Sequence, residues 1–414
     1  MNSKSNFEHI ESFLTLLFAV SVFVWKPGMY VSSGLITAYL LTRSAIDRDY
    51  ARMVWSHPIA KASLAMFVLG LITSTIGAEQ FEDIAWMARK TLFLPAVVFF
   101  VFALESQRNR KLAMAGLIGS FWVASLLTLN EYDWQLRFGD RMGGTWPIGT
   151  WDALIGLFFT FMVLSHGWTG TGIWPRAVHI ATTLMALLML ILAGGRAPWI
   201  GALLSLGTYF VIKLLLVRDK RVLLLSIVAA ALITTMLSTI LEDKARPVVD
   251  RLSTVLNTTT EGSSNWIRLQ LWKIGIAHLD TLKAENPKEF FFGGGSLSYD
   301  NKQVEFFKTL PFNESDRALL RQQGYPSGDA HNNYIDSALR SGVIWTACMV
   351  LYLIWLCTQF KLSVLRSNPG PAVLLLNLLV MGMFYTVFPH FLTLFFVLFA
   401  MTLRTSPVTN PDFK

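Results

Sequence analysis

Apolar residues run along this chain in long, nearly unbroken blocks separated by short polar turns, not in the amphipathic stripes of a globular core. A helix needs about 20 apolar residues to cross a bilayer. Twelve stretches are candidates: roughly 10–25, 28–42, 59–77, 84–104, 112–129, 151–166, 176–193, 197–217, 222–241, 342–360, 371–388 and 390–403. Several are short, and only Pro389 and His390 part the last two, so ten or eleven spans also fit. One extensive hydrophilic segment, about 242–341, interrupts the series. The pattern predicts an all-α integral membrane protein: a bundle of about nine spans over 1–241, a large partly helical loop over 242–341, and about three further spans over 342–414. The first run, around Phe13 to Trp25, lacks a basic leader and a small-residue cleavage site, and reads as a retained span.

Composition supports this picture. Of 414 residues 53% are hydrophobic and 15% charged, where a soluble domain carries about 25% charge. Cys348 and Cys357 share one apolar run; on a helix they stand about 13 Å apart along the axis, too far for a disulfide. The net charge of +8 has a topological origin. With both termini in the cytoplasm, 17 Lys and Arg fall on the inner side and six in short outer loops, namely Lys26, Arg89, Lys90, Arg137, Arg141 and Arg196. The other 12 lie in the long segment, which the rule does not count. Nucleic acid is therefore not needed as a partner. No internal repeat or low-complexity segment is visible.

The long segment falls on the outer side. Its stretch "NWIRLQLWKIGIAHL" (265–279) has a helical pattern, with Trp266 and Trp272 suited to the headgroup region. "EFFFGGGSLSYD" (289–300) turns through three glycines, and "QQGYPSGDAHNNYIDSALRSG" (322–342) is a loop that starts a helix near Asn333.

Against this apolar background the outer cations ask for a reason. Arg196 stands in "LILAGGRAPWIGALL". Gly194 and Gly195 break the helix before it, and Pro198 suits the first turn of the helix after it. That places Arg196 at a helix N-terminus, where backbone N–H groups also face anions. A guanidinium there suits a diphosphate, and an arginine snorkelling to the interface fits the same position. Arg89 and Lys90 open the fourth span, Arg141 lies in "GDRMGGTWPIG", and Arg268 shares a helix face with Trp272. Together they suit a polyanionic lipid headgroup. Arg137 and Lys26 read as solvated surface charges.

His331 falls at or just before a helix N-terminus, whose dipole favours the neutral imidazole that a general base needs. Asn332 or Asn333 suits a cap or a sugar contact, and a polar capping loop is the plainer reading of the whole stretch. "DRD" (47–49) reads as cytoplasmic loop charge, and Glu242–Asp243 has no further ligand at metal spacing, so neither a metal nor another cofactor is expected. The glycines at 293–295 read as a turn in preference to an anion nest. The sequons at Asn257 and Asn313 are common by chance.

"RMGGTWPIG", "GGRAPWIG", the arginine of "WIRLQLW", a glycine-rich turn and "HNNYIDSALRSG" occur in this order. This ordered set resembles the O-antigen ligase family of bacterial envelopes, within a superfamily that includes O-antigen polymerases and O-oligosaccharyltransferases. The resemblance covers about residues 137 to 345 and the twelve-span layout. It implies a membrane-embedded, GT-C-like glycosyltransferase of the bacterial inner membrane with a periplasmic active site. Its partners would be undecaprenyl diphosphate-linked O-antigen as donor and lipid A–core as acceptor, beside membrane lipids, and the reaction would be metal-independent and inverting. Carried over, Arg196 and Arg268 would bind the diphosphate and His331 would activate the acceptor hydroxyl. Arg141, with Arg89 or Lys90, would support phosphate binding, and Asn332 and Trp272 would line the substrate site. A polymerase or a protein O-oligosaccharyltransferase would use the same donor. A transporter would place its charges near the midplane, often in related halves.

Overall fold

The computed structural model describes residues 3–131, 143–165, 172–217, 264–312, 314–322, 330–359, 368–384 and 389–403. Every regular element among them is helical. The expected ninth span, Arg137, Arg141, Glu242–Asp243 and the sequons at Asn257 and Asn313 lie outside the described residues.

In the bundle, α1 spans Ser3–Val24, α2 Lys26–Ile46, α3 Arg48–Ser56, α4 Pro58–Gly77, α5 Phe81–Thr91, α6 Phe93–Ala103, α7 Gln107–Glu131, α8 Ile148–Leu164, α9 Ile173–Ala193 and α10 Arg196–Ile212. Seven segments are long and apolar enough to cross a membrane: Asn6–Val24, Pro58–Gly77, Phe81–Ala103, Gln107–Glu131, Ile173–Ala193, Ala197–Leu215 and Asn333–Thr358. Gly149–Leu164, Gly370–Phe384 and Phe391–Thr402 are apolar but shorter. These stretches coincide with ten of the twelve candidates, and the second candidate is helical within α2.

The bundle holds together as a membrane interior requires. Phe23 meets Phe121 and Phe158 at ring-centroid distances of 5.6 and 5.0 Å, and Phe18 meets Phe100 at 5.0 Å. Small residues let α1 and α7 approach closely, and the Ser120 hydroxyl donates to the Ala19 carbonyl at 2.8 Å. Phe13, Leu41, Leu184, Leu203 and Leu351 stay exposed, as lipid-facing positions do. The helix of the fourth span breaks at Leu92 because Pro95, three positions on, has no N–H for the Thr91 carbonyl.

The long hydrophilic segment contributes α11 (Ser264–Glu285), α12 (Pro287–Phe292), α13 (Ser296–Thr309) and α14 (Glu314–Gln322). On α11, Ile267, Leu271 and Ile274 pack with Phe307 and Leu320, so one apolar face is covered by protein. Leu269 and Ile276 remain exposed. The chain then returns through α15 (Asn333–Thr358), α16 (Gly370–Phe384) and α17 (Pro389–Leu403). Cys348 and Cys357 both lie on α15 and are free thiols.

α15 crosses the expected boundary at 341/342 as one element with a kink at Gly342, where φ is 86° and ψ 159°. That backbone region belongs essentially to glycine. The kink meets the "FFGGG" turn main chain to main chain: a Cβ on Gly342 would overlap Phe291, Phe292 and Gly293, and one on Gly293 would lie 2.5 Å from the Arg340 carbonyl oxygen. Gly293 and Gly342 thus form a packing seam between α12 and α15, while Gly294 lies against the Glu289 side chain and Gly295 against that of Asp83. Lys302 on α13 adds an ion-paired clasp, donating to Glu79 at 2.8 Å and to the buried Glu289 at 2.9 Å.

Candidate active site

His331 is the one non-glycine residue with positive φ among the described residues, at 49°. Two hydrogen bonds fix the chain on either side of it. The Ala330 N–H donates to Asp336 Oδ1 at 2.9 Å, and the Asn332 side-chain oxygen caps α15 by accepting from Tyr334 N and Ile335 N at 3.0 and 3.2 Å. Asp336 and Asn332 are buried while His331 is exposed. The turn therefore presents the imidazole from a rigid support at the positive end of α15. Asn332 also donates to the Met383 carbonyl at 3.3 Å, so its amide is already committed to holding the turn.

The other elements reach the same end of the bundle through a chain of contacts. Tyr334 donates to the Leu379 carbonyl at 3.1 Å, tying α15 to the outer end of α16. Trp272 of α11 packs on Phe384, the last residue of α16, at 6.4 Å between rings. Gly275 of α11 is so close to Ile335 that no larger residue fits. Arg268 lies one helical turn before Trp272, on the same flank, and both are half-buried. The Trp272 indole N–H is buried and has no acceptor among the described residues.

α16 leads on to Arg196. Asn377 donates to Thr160 of α8 at 3.2 Å, and Met381 packs on Gly201 of α10. Gly194 ends α9 in a left-handed conformation, with φ of 68°, Gly195 forms the N-cap of α10, and Arg196 is its first residue. The fully buried carboxylate of Asp152 on α8 lies directly beneath Gly195, in space that a side chain at 195 would need. The N-termini of α10 and α15 and the Arg268 turn of α11 are thus gathered around the C-terminal end of α16.

Arg89 and Lys90 lie on the last turn of α5. Lys90 is within Coulombic reach of Arg89, Lys26 and Arg340. Lys26 is exposed, as expected, but it is not isolated, since its ammonium lies 6.0 Å from the Trp146 ring. Arg340 and Asp152 carried no sequence signal: Arg340 is one more charge in a polar segment, and Asp152 is one acid at the start of a span.

Behind the site, two titrating groups in the outer segment are shifted. Burial, reinforced by the positive charge of Lys302, lowers His278 from 6.5 to about 4, so this imidazole is neutral at pH 7. It stacks on Phe306 at 4.2 Å with 8° between planes, as a buried aromatic does. Burial alone would lower Lys302, but its hydrogen bonds to Glu79 and Glu289 outweigh that and hold it above the ordinary lysine range.

Residues 181–350 match the family model described as O-antigen ligase. That part of the chain is similar to the O-antigen ligase family. No curated protein matches the chain. The matched residues include Arg196, Arg268, Trp272, His331 and Asn332, whereas Arg89, Lys90 and Arg141 lie before them. Among the described residues, seven helices have the length and apolar composition of membrane spans, as a multi-pass membrane protein requires.

Proposed function

We propose that this protein transfers a completed O-antigen polysaccharide from undecaprenyl diphosphate to a sugar hydroxyl of lipid A–core, on the periplasmic face of the inner membrane. The observation that carries the reading is the convergence of the α10 N-terminus, the Arg268 turn of α11 and the His331 turn of α15 around the end of α16.

The chemistry follows from those groups. His331 takes the proton of the acceptor hydroxyl. The oxygen attacks the anomeric carbon, and the bond from that carbon to the diphosphate oxygen breaks. Undecaprenyl diphosphate leaves with the bonding pair, and attack opposite the leaving group inverts the anomeric configuration. Negative charge grows on the diphosphate during this step, and Arg196 and Arg268 are stationed to meet it at a poorly hydrated interface. Guanidiniums fill the role that a metal ion plays in other transferases, so the reaction is metal-independent. Asn332 holds the His331 turn, and Trp272 lines the donor side. Arg89, Lys90 and Arg141 support phosphate binding.

Reconstituted transfer with purified protein, defined donor and lipid A–core, with and without EDTA, tests the reading. Glycan attached to lipid A–core at equal rates in both is the expected result. Strict dependence on added magnesium contradicts the metal-free mechanism. Extension of lipid-linked glycan in place of transfer to lipid A–core identifies a polymerase.

A further inference from the structure

Outer basic residues oppose the topological bias of membrane proteins, and here a group of them converges on one place. Lys26 opens α2, Arg89 and Lys90 end α5, and Arg340 lies on the first half of α15. Lys90 is coupled to the other three. Each cation is seated at a different aromatic ring. Lys26 Nζ is 6.0 Å from Trp146, Arg89 Cζ 5.9 Å from Tyr30, Lys90 Nζ 5.0 Å from Trp86 and Arg340 Cζ 4.7 Å from Tyr299. Asp83 shares a narrow cleft with Trp86 and Arg340.

Four cations from three helices outnumber the one buried carboxylate, Asp83, in the cleft beside them, and the positive potential they raise favours a polyanion. The aromatic partners fix the cations in place and set them at headgroup depth, where phosphate is borne on lipid. Arg340 comes eight residues after Asn332, about 12 Å of helix rise along α15 from the turn that carries His331.

We propose that Lys26, Arg89, Lys90 and Arg340 form a second anion site, which holds phosphate groups on the lipid-proximal sugars of the acceptor. This rests on the ligase reading. It gives the acceptor an anchor at its phosphates while its hydroxyl reaches His331.

Binding tests this without requiring turnover. The full-length protein in detergent micelles is titrated with two fluorescent glycolipids that differ only in phosphate on the lipid-proximal sugars. The phosphorylated form is expected to bind about tenfold tighter. Lys26→Gln/Arg340→Gln should bind both forms alike, with undecaprenyl diphosphate binding unchanged, and Lys26→Arg/Arg340→Lys should keep the preference. Equal binding of the two glycolipids by the unsubstituted protein overturns the proposal. So does a Gln variant that loses undecaprenyl diphosphate instead, which would assign the cluster to the donor. Inorganic phosphate that displaces the phosphorylated glycolipid mole for mole would make this a free-phosphate site and likewise overturn it. Binding as expected without glycan transfer would sink the ligase reading alone.

Discussion

Gly293 and Gly342 lie backbone against backbone, both with positive φ, and join the turn after α12 to the kink of α15. Alanine at either position meets a main-chain clash on top of a conformation that costs about 1–3 kcal/mol. Gly342→Ala should therefore lower the melting temperature steeply and expose the outer segment to protease. A surface glycine with open space, such as Gly119, should tolerate the same change. Thermal unfolding of the two variants side by side checks this.

Lys302→Ala removes the partner of Glu289, which is 6% exposed. Breaking a buried pair costs about 3–5 kcal/mol, and the partial exposure of Lys302 puts the expected loss near the lower end. Lys302→Ala/Glu289→Gln should recover part of it, because no buried charge is then left alone. Chemical denaturation of both variants reads the difference.

His278 gives the outer segment an acid limit. Its folded value of about 4 lies below the ordinary 6.5. Above pH 6.5 both the folded and the unfolded chain hold it neutral. As pH falls toward 4 only the unfolded chain takes the proton, so stability is lost across that window, by at most about 3 kcal/mol. His278→Gln should flatten the dependence of melting temperature on pH between 6.5 and 4, whatever its effect at pH 7.

Asn332→Ala removes the α15 cap and should cost about 1 kcal/mol. Asn332→Asp keeps the acceptor for Tyr334 N and Ile335 N but loses the donor to the Met383 carbonyl. The Asp variant should be the more stable of the two. If the turn positions His331, turnover should fall in both while donor affinity stays.

His331→Ala should abolish transfer and leave donor binding largely intact, since its proton comes from the acceptor. Arg196→Ala and Arg268→Ala should weaken donor binding and turnover together. Lysine should rescue either only in part, because a point charge does not grip two oxygens as a guanidinium fork does. Donor affinity and single-turnover rates measured on each variant separate these effects.

Much of this was legible in the residues. Apolar block length located ten of the helices, and "GGRAP" placed Arg196 at a helix start because the glycines and Pro198 admit little else. "AHNNY" likewise announced the α15 N-terminus. What stayed hidden was contact between distant segments. Nothing local pairs Gly293 with Gly342, seats Asp152 under Gly195, or draws Lys26 toward Lys90. The covered face of α11 was equally unreadable, because a helix apolar on two sides looks the same in sequence whether lipid or protein meets it.

The ties from Asn332 to Met383, from Tyr334 to Leu379 and from Asn377 to Thr160 form a girdle around the outer end of α16. The separation between the starts of α10 and α15 is consequently set when the bundle folds, not when a substrate arrives. In the proposed transfer, two bulky lipid-borne reactants would meet a preorganised framework, and the entropy of aligning its parts would be spent once per molecule instead of once per turnover.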